Sequence, residues 1–85
     1  MENIDPKRYS LSSRTRLRQI GNNNISIVID RKSRIIMKDG QRIIKQAQAI
    51  HQVNSNMIVT VLTSAPVCSK TRALLLEKHI YFREL

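Results

Sequence analysis

The residues best suited to chemistry lie together in one ten-residue stretch, Thr63-Ser64-Ala65-Pro66-Val67-Cys68-Ser69-Lys70-Thr71-Arg72. It holds the sole cysteine of the chain, four hydroxyls, a lysine and an arginine. It follows an apolar run, Met57 to Leu62, that reads as a buried strand, and leads into a segment that reads as a helix ending near His79. A loop between a strand and a helix gathers unpaired backbone N–H groups and the positive end of the helix dipole. Ser64, Ser69, Lys70 and Arg72 therefore form an anion-friendly loop. Cys68 is the candidate thiol: at a helix start, near Lys70 and Arg72, its pKa is expected to fall, and the thiolate is the nucleophilic form. The plainer reading is a small buried hydrophobe, a frequent role for free cysteine.

A second group of polar residues, Asp30-Arg31-Lys32-Ser33, follows the β-branched run Ile25–Ile29. In an open parallel sheet, ligands bind beyond the carboxyl ends of the strands. If the two strands are neighbours, Asp30, Ser33, Ser64, Cys68, Ser69 and Lys70 would line one crevice. Capping of the next helix is the stronger reading of Asp30 or Ser33. Asp39 and Glu77 have no spacing that would pair them with another acid, and His51 and His79 fall at or near predicted helix ends. None of the four is assigned a catalytic role. One cysteine and two histidines make no zinc constellation, and no P-loop, dinucleotide fingerprint or nucleophile elbow is present. No cofactor and no catalysis are expected.

Charge is the other strong signal. Fifteen Lys and Arg against six Asp and Glu give a net charge of +9, with a pI near 10.7. Such a balance favours a polyanion, either nucleic acid or an acidic protein surface. Residues 1–45 carry eleven of the basic residues and four of the acidic ones, so the polyanion should meet the N-terminal half. Arg14, Arg16 and Arg18 share one face if extended. Arg34, Lys38, Arg42 and Lys45 form a narrow single-sign stripe when placed on a helix. These seven are the candidate polyanion-binding residues, with Lys7 and Arg8 beside them. The solvated face of an ordinary amphipathic helix is the plainer account of the stripe. Tyr9 is the aromatic nearest to this basic region and the candidate for stacking on a base.

The elements that must position these groups follow from pattern. Gly21-Asn22-Asn23-Asn24 is a turn, and with Arg14–Ile20 and Ile25–Ile29 it predicts a hairpin. Ser33–Val53 reads as one amphipathic helix whose apolar side carries Ile36, Gly40, Ile43, Ala47 and Ile50. The competing reading makes Arg34–Met37 a strand paired with Ile25–Ile29 and starts the helix near Asp39. Pro66 fits the first turn of a second helix, and Ile80-Tyr81-Phe82 begins a last strand. The order ββαβαβ predicts a small single-domain α/β sandwich with a mostly parallel sheet, two helices and right-handed crossovers. The near-continuous apolar strands predict a sheet covered on both faces. Residues 1–12 show no sustained periodicity and are expected to be disordered, leaving 13–85 as the domain. A core that small is marginal, so homodimerisation is an expected remedy. No stretch is apolar for long enough to span a membrane. With no signal-peptide pattern and no disulfide framework, a cytoplasmic setting is expected.

Residues Met57 to Leu85 resemble the opening βαβ of plasmid-type arsenate reductases and the related Spx and glutaredoxin-like proteins. The segment Cys68-Ser69-Lys70-Thr71-Arg72 is similar to the Cys-Ser-Lys-Ser-Arg of the reductases, and Lys78-His79-Ile80-Tyr81-Phe82 takes the matching strand position. The resemblance implies that Cys68 is the nucleophilic thiol. It covers a third of the chain. The later cis-proline strand, the downstream arginines and a resolving cysteine have no counterpart here.

The leading expectation is a small basic protein that binds a polyanion, nucleic acid first, without catalysis. Two other readings stand beside it: a thiol-dependent redox or anion-binding protein acting through Cys68, and a protein-interaction or dimerisation module.

Overall fold

Two β-branched runs make the centre of the sheet because their side chains suit a pleated, buried surface. A computed structural model describes residues 2–85, with only the backbone described for Glu2. Its strands are β1 (Glu2–Ile4), β2 (Leu17–Ile20), β3 (Asn24–Ile29), β4 (Ile58–Thr63) and β5 (Tyr81–Glu84). Its helices are α1 (Met37–Val53) and α2 (Ser69–Glu77), and Pro6–Tyr9 forms a 3-10 turn. The strands lie in sequential order, β1-β2-β3-β4-β5. β1 and β3 flank β2 antiparallel, whereas β3–β4 and β4–β5 are parallel. The fold is α/β as expected, but the sheet is mixed rather than mostly parallel. The difference comes from the N-terminus, which adds a strand to the predicted hairpin.

Residues 2–9 supply β1 and the 3-10 turn. Ile4 pairs with Leu17, and both Ile4 and Tyr9 are buried in the core. Pro6 opens the 3-10 turn, and the Asp5 carboxylate accepts from the Lys7 N–H at 3.0 Å. Short irregular segments like this show no periodicity, so tertiary burial rather than pattern orders them.

The second departure concerns α1. Its apolar side is the one expected, with Gly40, Ile43, Ala47 and Ile50 buried. It starts at Met37 rather than Ser33 because Ile35 is used elsewhere. The Ile35 N–H donates to the Pro66 carbonyl at 2.8 Å, and its carbonyl accepts from the Cys68 N–H at 2.9 Å. Ile35 thus forms a parallel bridge with Val67, not a strand against Ile25–Ile29. The same pairing keeps Pro66 and Val67 extended, so α2 begins at Ser69 and Pro66 lies before it rather than in its first turn. Asp39 closes the start of α1: its Oδ2 accepts from the Ile36 N–H at 2.9 Å, which satisfies a donor that an α-helix leaves open.

The third departure is the arrangement of layers. Parallel crossovers are right-handed, and two that step in the same direction put both helices on one face. The helices indeed touch one another. A methyl built on Gly40 would lie 2.8 Å from the Thr71 Cγ2 of α2, so glycine sets how closely the helices approach. The core lies between helices and sheet, with Ile25, Ile27, Val59 and Val61 against Ile43, Ile50 and Leu75. Each fully buried isoleucine or leucine contributes about 1.5–3 kcal/mol. Both faces of the central strands are buried, but both helices lie on the same one. Ser26, Val28, Thr60 and Leu62 alternate with the core residues and face away from the helices.

Candidate polyanion interface

Three separate segments bring arginines to one end of β3. The approach to β2 supplies Arg14 and Arg16, the loop after β3 supplies Arg31, and the flank of α1 supplies Arg42. They line one cleft of about 360 Å³, whose floor includes Ile27, Ile29 and Ile43. The Val28 N–H donates to the Arg16 carbonyl at 2.9 Å, which carries the β2–β3 pairing down to the cleft. Asp39 is the acid of this cleft. Arg31 Nη2 donates to Asp39 Oδ2 at 2.6 Å and also to the Arg34 carbonyl at 3.2 Å. The Arg31 hydrogen bond, the Ile36 N–H and the nearby Arg42 charge together hold the Asp39 carboxyl below its ordinary pKa. Arg31 is thereby committed to shaping its own loop. Among the described residues no carboxylate pairs with Arg14, Arg16 or Arg42. The cleft therefore presents three guanidiniums without an ion pair of their own over an apolar floor, suited to a phosphate or carboxylate.

The other expected cations are spread more widely. Arg34 falls outside α1, in the loop before it, and lies near the Cys68 thiol. Lys38 and Lys45 remain on the exposed side of α1, directly opposite its buried side, while Arg42 is turned toward the cleft. Arg18 lies within β2, half-buried, opposite Ser26. The stripe and the strand arginines thus meet at Arg42, Arg14 and Arg16 and diverge elsewhere. Tyr9 is buried, so it presents no ring to a base.

The loop from Thr63 to Arg72 lies at the carboxyl edge of β4, beside the loop after β3. The Ser64 hydroxyl donates to Asp30 Oδ1 at 2.7 Å, and the Ile35–Val67 bridge ties the two loops together. Asp30 is thus paired with Ser64 rather than capping α1, where Asp39 acts instead. The expected common crevice is only partly assembled. A recess of about 630 Å³ is lined by Ser64, Pro66, Arg72, Phe82 and Arg83 among others, and neither Asp30 nor Cys68 is part of it. Arg72 lies over the Phe82 ring, 5.1 Å from its centroid, a cation–π contact. Ser69 and Lys70 are exposed in the first turn of α2.

Cys68 immediately precedes α2 and is partly exposed. Its thiol pKa is lowered, chiefly by the Thr71 N–H, then by the Lys70 N–H, with smaller effects from the Thr71 hydroxyl and the Arg34 charge. The Thr71 hydroxyl is fully buried and without a hydrogen-bond partner, and it too favours the thiolate. Among the described residues no cluster of three His, Cys, Asp or Glu could hold a metal ion. No helix there is long and apolar enough to cross a membrane.

Three residues of interest escape the sequence reading. Arg31 is masked by its charged neighbours. Tyr81 and Arg83 sit on an edge strand whose outward face is visible only once the strand order is known. Comparison with protein-family models, with curated proteins and with solved structures finds no match to this chain.

Proposed function

We propose that this protein is a nonenzymatic nucleic-acid-binding module that grips the phosphate backbone. The convergence of Arg14, Arg16 and Arg42 on one cleft, without carboxylate partners for them, carries this reading. Phosphate contacts of this kind position a protein on nucleic acid without reading its sequence. Affinity should fall steeply with salt, because each neutralised phosphate releases a counterion. Titration of labelled RNA and DNA by anisotropy at about 50 and 200 mM salt tests this, with a log–log slope of about −2 to −3 expected. No binding of either polymer at the lower salt would sink the proposal.

The environment of Cys68 favours a second reading, a thiol-dependent protein. The N–H groups of Thr71 and Lys70 favour the thiolate. The rate of alkylation against pH should then show a midpoint below the ~8.5 of a free cysteine. A midpoint at or above that value removes the basis for a reactive thiol.

A further inference from the structure

Among the described residues no helix packs on one face of the sheet. Both helices lie on the other side, and Tyr9 and Leu11 near the 3-10 turn also pack into the helix-side core. Two rows of side chains cross the open face. In the first, Arg18 pairs with Ser26, Ser26 with Thr60, and Thr60 with Tyr81. In the second, Arg16 adjoins Val28, Val28 pairs with Leu62, and Leu62 with Arg83. With strands ~4.8 Å apart, each row spans about 14 Å.

The middle of each row is small or apolar and its ends are long. Ser26 and Thr60 are 0% and 3% exposed, and Val28 and Leu62 5% each, although no helix among the described residues lies over them. Their cover must come from the flanking arginine stems and the Tyr81 ring, as amphipathic side chains lie along apolar surface with their polar ends in water. Tyr81 itself is 48% exposed. The Ser26 hydroxyl lies at the centre of this face, buried and without a hydrogen-bond partner. Thr60 uses its hydroxyl on Asn24 Oδ1 at 3.3 Å. Asp30 follows Val28 by two residues at the end of this face, and its carboxylate accepts from the Ser64 hydroxyl.

We infer that the open face binds single-stranded nucleic acid, with a base stacked on Tyr81 and phosphates held by Arg16 and Arg83. The inference rests on the nucleic-acid reading above and specifies its substrate. Arg16 lines the cationic cleft and adjoins Val28 of the open face through the Val28 N–H bond to its carbonyl, so one strand can run from one to the other. Base stacking on an exposed aromatic flanked by cations is the usual means of holding a single strand without sequence selection. In a duplex the bases are already stacked and paired, and Tyr81 has no base face to meet. A second copy of this chain fits the surface poorly, since it would set arginines against arginines.

The test uses the full chain and fluorescein-labelled oligo(dT) and oligo(rU), with a duplex of equal length alongside. Tyr81→Ala is expected to weaken single-strand binding about tenfold, while Tyr81→Phe, which keeps the ring, retains it. Arg83→Gln is expected to lower the single-strand salt slope by about 0.7. Duplex binding should be unchanged by all three. Tyr81 and Arg83 are exposed on an edge strand, and thermal melts will show that the variants fold. If the parent binds no nucleic acid, the general reading fails and this one with it. If the parent binds but Tyr81→Ala and Arg83→Gln bind like the parent, the open face is not the site, and the cleft reading stands. A dimer that Arg83→Gln dissociates, with oligonucleotide binding unaffected, would overturn the inference in favour of self-association.

Discussion

The cationic cleft and the Cys68 loop are built in opposite ways. The loop is contiguous: thiol, hydroxyls, Lys70 and Arg72 lie within ten residues, and the helix start that acts on Cys68 is made by the residues that follow it. The cleft is assembled from three segments whose arginines, Arg14 and Arg42, stand far apart in sequence. Local proximity places reactive groups near each other without aiming them at a common space. Arg72 turns to Phe82, Ser64 turns to Asp30, and Cys68 lies outside the recess between them. Tertiary convergence does the reverse, since Arg14, Arg16 and Arg42 face one volume and, unlike Arg31, form no ion pair among the described residues.

The sharpest way to break this contrast is to remove the charge from the cleft. Arg14→Gln/Arg16→Gln/Arg42→Gln is expected to lose about 100-fold in nucleic-acid affinity at low salt and to lower the salt slope by about 2 to 3. The pH profile of Cys68 alkylation should not move. If alkylation shifts while binding holds, the two regions have exchanged roles.

A smaller effect probes where the regions touch. Gly40 of α1 meets Thr71 of α2, the residue whose N–H acts most strongly on Cys68. Gly40→Ala gains about 1 kcal/mol of helix propensity, but its methyl overpacks Thr71 at a cost of about 1–3 kcal/mol. A net loss of about 1 kcal/mol in chemical denaturation follows from these two. In a Thr71→Ser background, which removes the methyl it meets, the same change should be neutral or stabilising. Equal losses in both backgrounds would show that this contact does not set the helix spacing.

The smallest expected effect separates structure from binding within the cleft. Asp39→Ala removes the acceptor of the Ile36 N–H and the anchor of Arg31, for a loss of about 1 kcal/mol. The folded-state pKa of Asp39 is depressed, so its contribution is present above the ordinary carboxylate pKa and is lost as pH falls through the folded value. The stability gap between parent and variant should therefore close in acid. Nucleic-acid affinity should rise slightly in the variant, since the cleft loses its acid. A fall in affinity would instead show that the Arg31–Asp39 pair positions the binding surface.

The contrast also marks what was legible beforehand. β3 and β4 follow from runs rich in β-branched residues, and the buried side of α1 follows from a 3.6-residue period at Gly40, Ile43, Ala47 and Ile50. The start of α1 was not legible, because the residues before Met37 continue the apolar stripe and only the Ile35–Val67 bridge withdraws them from the helix. Tyr9 and Tyr81 could not be told apart: the exposure of each depends on which sheet face the helices cover. Of the larger basic set named from the sequence, Arg14, Arg16 and Arg42 line one cleft. Arg34, Lys38 and Lys45 were named on the same grounds and point elsewhere.

The sequence by itself determined the net positive charge, its concentration in the N-terminal half, the central strands, the body of α1 and the place of Cys68 near a helix start. These depend on composition and on periods a few residues long. Only the tertiary structure decided that both helices lie on one face, that Arg14, Arg16 and Arg42 share a cleft, and that the opposite sheet face is left to arginines and Tyr81. Those outcomes depend on strand order and on the sense of two crossovers, which join residues too distant in sequence for any local pattern to relate.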